Sequence, residues 1–267
     1  MNAITQAQAH APTGQLAGLR PEFKLHIGGG QPFAARRNRL LACLPEPVWQ
    51  RWQAHLEAID LPLGKVLCEP GARLTHVVFP TTAIVSLLYL TGDASADEIA
   101  MIGKEGMVGT WLPMGGGTTQ SRAIVTSEGR GFRMRASALM EELDRSAPAM
   151  HMLLRYTQAL LTQTGQIAVC NRHHSLEQQL CRWLSQTQDR LASSHIVMTQ
   201  ERIADLLGVR REGVTAAAGR LHKAGLIRYH RGHIAVLDRE GIEARSCECY
   251  HVVRDEYDRL LPAEIVA

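Results

Sequence analysis

The chain has 267 residues, 45% hydrophobic and 21% charged, with a formal net charge of +3. That balance supplies a core for one or two globular domains and excludes a disordered, fibrous or disulfide-scaffold protein. No apolar run reaches the roughly 18 residues of a membrane span, and no basic stretch followed by an apolar one opens the chain. A cytoplasmic protein with no membrane partner is expected.

Residues 1–35, rich in Ala, Gln, Gly and Pro with "GGG" at 28–30, read as a disordered leader. The stretch "RNRLLACLPEPVWQRWQAHLEAID" (37–60) reads as helical, with Leu40, Leu41, Trp49, Trp52 and Leu56 as its apolar positions. From Leu61 to Met134, short apolar runs such as "AIVSLLYL" (83–90) alternate with Pro and Gly breaks. That texture predicts antiparallel strands in a sandwich or barrel, within a first domain over 36–145.

The period then becomes helical. Met150, Leu153, Thr157, Leu160, Thr164 and Ile167 fall at alternating steps of three and four, with no proline between Ala149 and Asn171. This a/d seam predicts a long helix over 146–174 that pairs with a second copy of the chain; the alternative is a helix packed on its own domain. A second helix, "SLEQQLCRWLSQTQDRL" (175–191), follows.

Next comes "TQERIADLLGVRREGVTAAAGRLHKAGLI" (199–227). Thr199 is a good N-cap for a first short helix beginning at Gln200. Gly208 stands where a tight inter-helix turn needs positive φ, Ala204 permits close crossing, and Val214 and Ala217 supply the buried face of a second helix. Residues 199–233 hold seven Lys/Arg against three acids, so the chain's excess positive charge is concentrated here. Arg210, Arg211 and Glu212 stand at the start of helix two, where a recognition helix reaches base edges, with Thr215 and Ala216 one turn later. Gln200, Arg220, Lys223 and Arg231 complete the expected contacts to double-stranded DNA. "LIRYHRGHIAVLD" (226–238) reads as a two-stranded wing turning at Arg231-Gly232.

With these parts in order, the chain resembles the Crp–Fnr family of bacterial transcription regulators; "GKEGMVG" (103–109) also resembles a recurrent turn of that family's sensor domain. The resemblance implies an α+β fold. It comprises an antiparallel, jelly-roll-like β-roll sensor over 36–145, a dimerisation helix over 146–174 and a winged helix-turn-helix over 175–250, leaving 251–267 as a C-terminal tail. It further implies a homodimer on a two-fold-related operator, with RNA polymerase as partner. Arg211 and Glu212 match two base-reading positions; the third, usually arginine, falls on Ala216.

Family members that bind cyclic AMP place a Glu on the ribose and an Arg-Ser/Thr-Ala run on the phosphate. The equivalent positions here are Gly109, Thr110, Ser121 and Arg122. Thr110 replaces the acid, and the arginine comes one place late, which on a strand turns it to the opposite face. Ordinary cyclic-AMP control is therefore not expected, and the effector is left unknown. The sensor region has only Cys43 and Cys68, too few for an iron–sulfur cluster, and no haem is expected. "CNRHHSLEQQLC" (170–181) and "CECYH" (247–251) both lack the paired spacing of a zinc site and read as packing cysteines, so no metal is expected. A DNA-binding regulator is the favoured class. The alternatives are a ligand-sensing module whose helical end contacts protein, and an enzyme, for which no catalytic motif appears.

Overall fold

Two prolines around Glu46 break the opening helical stretch into α1 (Arg39–Ala42) and α2 (Glu46–Trp52). The end of that stretch, expected as helix, is instead strand β1 (Glu57–Leu61). Glu57–Leu61 pairs residue for residue with Gly129–Arg133, and this ladder overrides the helical spacing of its side chains. The computed structural model describes residues 34–90, 96–191 and 193–261, all within one compact unit. The leader, apart from its last two residues, lies outside them.

Six more strands complete the roll: β2 (Val66–Cys68), β3 (His76–Pro80), β4 (Ile84–Leu90), β5 (Ala96–Ile102), β6 (Arg122–Ser127) and β7 (Gly129–Arg135). They form two antiparallel sheets, ordered β1-β7-β3 and β2-β6-β4-β5. Val77, Phe79, Val85, Leu87, Ala123, Val125, Phe132 and Met134 fill the roll's core. The apolar run 83–90, interrupted only by Ser86, has a specific cause. Its strand is covered on both faces: Val85 and Leu87 belong to the roll's core, whereas Ile84 and Leu88 belong to a second core with the C-terminal helices.

After α3 (Ala136–Asp144), Ser146 caps the 27-residue α4 (Ala147–His173), which at 1.5 Å per residue is about 40 Å long. Gln163, midway along α4, accepts a hydrogen bond from the Met101 amide at 3.0 Å and donates to the Met101 carbonyl at 3.2 Å. One carboxamide thereby satisfies both backbone groups of an edge strand. The Tyr156 hydroxyl donates to the Met107 carbonyl at 3.0 Å, and its ring lies on Gly106, where any side chain would collide with it.

A Ser175–Gln178 capping box starts α5 (Leu176–Arg190). Then come β8 (His195–Val197), α6 (Gln200–Leu207), α7 (Arg211–Lys223), β9 (Ile227–His230), β10 (His233–Val236), α8 (Arg239–Arg245) and α9 (Glu248–Leu260). The segment set apart as a tail from 251 is, through Leu260, part of α9. Val253, Tyr257 and Leu260 bury against the roll-side core, and the Tyr257 ring lies 6.3 Å from that of Tyr156.

The long helix also departs from its predicted seam. Leu153, Leu160 and Ile167 are buried in the chain's own fold, Met150, Thr157 and Thr164 are half-buried, and Leu154 and Leu161 are 54% and 64% exposed. The roll and α9 take the more continuous apolar stripe, leaving the outward one a residue later.

Between the roll and α5 lies a buried polar seam. Arg190 Nε donates to Glu105 Oε1 at 2.7 Å, and Glu105 also accepts from the Gly103 amide at 3.0 Å. Nearby, Glu98 accepts from the Ser86 hydroxyl, which itself lies 2.9 Å from Thr126 Oγ1. Burial raises the Glu98 carboxyl to about 7 from an ordinary 4.5, against the opposing pull of Ser86, Arg182 and Arg190. The folded chain therefore favours protonated Glu98. This contribution to stability is full below pH 4.5 and is lost as the pH rises through about 7. Its size is on the order of 3 kcal/mol. Denaturation at a series of pH values should show Glu98→Gln lacking that loss and exceeding wild type in stability at pH 8; equal pH slopes would refute the assignment.

Candidate nucleic-acid interface

Thr199 Oγ1 accepts from the Arg202 amide at 3.2 Å and caps α6, which ends at Gly208 with φ of 64°. That left-handed turn also lies against the Asp97 carboxylate of β5, so position 208 excludes a side chain on two grounds. Val214, Ala217, Ala218 and Leu221 bury the inner face of α7 against Ile203, Ala204 and Leu207 of α6. Gly213 is explained by its neighbour: a Cβ there would stand 2.7 Å from Leu176 Cδ2, at the first turn of α5. The substitution cost of glycine inside a helix is accepted for that close crossing.

The outward face of α7 carries Arg211, Glu212, Thr215, Ala216, Gly219, Arg220 and Lys223, all exposed. Arg210 precedes the helix in extended conformation as its N-cap. Gln200 and Thr215 meet: the threonine hydroxyl donates to Gln200 Oε1 at 2.7 Å. Gln200 is also held through its amide, which donates to the hydroxyl of Tyr229 on β9 at 3.1 Å. Tyr229, which spacing alone did not single out, thereby fastens the wing to the first helix.

The basic side chains divide into two groups. Arg220 pairs with Glu177 on α5 at 2.5 Å, and Arg245 shares that carboxylate at 3.3 Å. Arg220, expected as a DNA contact, is thus already engaged within the chain. Arg210, Arg211, Lys223, Arg228 and Arg231 are exposed and make no ion pair among the described residues. Unpaired guanidinium and ammonium groups beside small residues suit phosphate and base-edge contact.

The wing is a three-stranded sheet, ordered β8-β10-β9; β8 was not foreseen. At its tip Arg231 has φ of 44° and Gly232 φ of 83°, the pattern of a type I′ hairpin. An arginine in this left-handed region costs roughly 1–2 kcal/mol.

The positions matched to a cyclic-nucleotide site are each taken up by contacts within the chain. Gly109 is backed by Leu74 and Val77, leaving no room for a side chain. Thr110 and Ser121 are buried, the serine hydroxyl 2.9 Å from Thr119 Oγ1. Arg122 is tied to Glu69 at 2.8 Å. A cleft of about 500 Å³ lined by Arg37, Lys104, Arg190 and Arg254 lies elsewhere and includes none of the four. Away from all of these, Cys170, His174, Cys247 and Cys249 come together, which corrects the expectation of two separate sets of packing cysteines.

Two helices crossing at a glycine turn, a basic exposed second helix and a hairpin wing make a winged helix-turn-helix, the build of a DNA-binding domain. Residues 178–245 match the family model of the Crp-like helix-turn-helix domain. No curated protein matches the chain. Among solved structures, FixK2 from Bradyrhizobium japonicum is 15% identical, with a TM-score of 0.62, over 72% of this chain and 98% of its own. CLP of Xanthomonas campestris, described as a c-di-GMP responsive global regulator, is 16% identical, with a TM-score of 0.58, over 72% and 99%. A CRP-family regulator from Thermus thermophilus is 16% identical, with a TM-score of 0.59, over 70% and 96%. Residues 178–245 are thus a Crp-like helix-turn-helix domain, and the chain shares the fold of these regulators.

Arg231→Asn should relieve the strained tip, leaving thermal stability equal or higher, while weakening duplex binding and lowering the salt slope by about 1. Unchanged DNA affinity would remove Arg231 from the interface.

Proposed function

We propose that this regulator acts as a cytoplasmic homodimer on a two-fold-related operator, with RNA polymerase as the partner its family resemblance brings. The observation that carries the reading is the exposed, unpaired basic face at the start of α7. Arg211 and Glu212 read base edges, Thr215 and Ala216 flank them, and Thr199, Arg210, Lys223 and Arg231 hold phosphates.

Two copies pair along the outward stripe of α4. Leu154, Gln158, Leu161, Gly165, Ala168 and Arg172 are all exposed and follow alternating steps of four and three. Gly165 has open space beside it, which favours close approach of a second helix. Such pairing would set two recognition helices about 34 Å apart, one turn of duplex. Cyclic AMP is not the effector. Thr110 offers no carboxylate to a ribose, and Arg122 is committed to Glu69.

Arg211→Ala should cost roughly 1–3 kcal/mol, concentrated at one base pair of each half-site, whereas Arg228→Ala on the wing should weaken all sequences alike. Leu161→Glu should yield monomers in light scattering and lose cooperative binding to a two-half-site duplex. Uniform weakening by Arg211→Ala would overturn the base-reading role, and a Leu161→Glu dimer would overturn the seam.

A further inference from the structure

Three cysteines sit together in neither of the chain's two large apolar cores. Cys170, Cys247 and Cys249 are 0%, 2% and 1% exposed and form a cluster of their own. Packing thiols merge with surrounding aliphatic side chains; these face one another and a histidine. Cys170 Sγ lies 3.4 Å from Cys247 Sγ, and Cys249 Sγ lies 3.6 Å from His174 Nδ1. The four ligand atoms lie within 4.8 Å of one another. A tetrahedral ion with bonds of about 2.0–2.3 Å needs ligand separations of about 3.5–3.8 Å, so a small contraction suffices. Clusters of several irons spread their thiolates over separate metal atoms and need a wider set.

The surroundings fit as well. His174 Nε2 lies 3.1 Å from a Glu248 carboxylate oxygen, an arrangement that turns Nδ1 inward and fixes its tautomer as outer carboxylates do for metal-bound histidines. Gln179 donates to the carbonyls of Cys170 and His174 at 3.4 and 2.9 Å, holding that end of the set in place. Cys247 and Cys249 stand at the N-cap and second position of the 13-residue α9. Arg182 is 2% exposed, donates to Gln186 at 3.0 Å, and its charge acts on Cys170 and Cys249 as well as on Glu98.

We propose that Cys170, His174, Cys247 and Cys249 bind one zinc ion, which staples the end of α4 to the start of α9. Binding releases three thiol protons and leaves one net negative charge, which Arg182 balances. The histidine is the one ligand with access to solvent, its side chain 13% exposed, and so gives the ion its entry path. The site spans the junction of α4 with α5, the connection through which the long helix carries the DNA-binding helices. This inference stands on the side-chain geometry and not on the DNA reading.

Full-length protein, purified without chelator and reconstituted with zinc chloride under reductant, should carry one zinc per chain by mass-spectrometric metal analysis. Cys247→Ser/Cys249→Ser should reduce zinc to background. Cys181→Ser, a buried thiol in the other core, should retain it. Cobalt(II) in place of zinc should show thiolate charge-transfer and visible bands of a tetrahedral centre. The proposal is overturned by folded wild type without zinc, by full zinc in the double variant, or by a Cys170–Cys247 disulfide persisting in its place.

Discussion

The buried pair between Arg190 and Glu105 is the contact on which the placement of the reading head depends. Arg190 closes α5, and Glu105 sits in the roll's turn at 103–106. Gly103 is bare because the arginine's aliphatic stem presses on it; a Cβ there would meet Arg190 Cγ at 2.7 Å. Gly106 is bare because Tyr156 of the long helix lies on it. One short turn thus receives two helices at once. A buried ion pair contributes little net stability, but losing one partner costs roughly 3–5 kcal/mol. Its effect is to permit one docking and penalise others.

Around that pair the roll and the DNA-binding helices share a single apolar layer. Ile84, Leu88 and Met101 of the roll pack with Trp183, Leu184, Leu206 and Leu207. The same boundary carries Glu98, Ser86, Thr126, Arg182 and Gln186, all buried. Apolar contact holds the two parts together while the polar groups fix their register. Glu98 lies at this boundary, bonded to Ser86, and not on the recognition helix.

Much of this was legible in the chain because local rules and tertiary demand agreed. Thr199, Gly208, Val214 and Ala217 occupy the cap, the turn and the buried face that their residue types require. The wing turns at Arg231-Gly232, where the type I′ geometry asks for positive φ. Legibility failed where two periodicities competed. Along α4 the stripe through Leu153 and Leu160 is more continuous than the one through Leu154 and Leu161, and the fold spent the better stripe on its own core. Spacing rules for metal sites also failed, because Cys170 and His174 meet Cys247 and Cys249 only through packing of α4 against α9. Arg220 reads as a DNA contact until Glu177 is seen beside it.

On the proposed function, a reading head that is already formed and exposed is carried on a dimer whose spacing would match one turn of duplex. Selection of bound sites from random duplex DNA by purified, effector-free protein tests this most directly. An inverted repeat with half-sites about one helical turn apart is the outcome expected. Enrichment of single, unrepeated sites, or no enrichment at all, would contradict it.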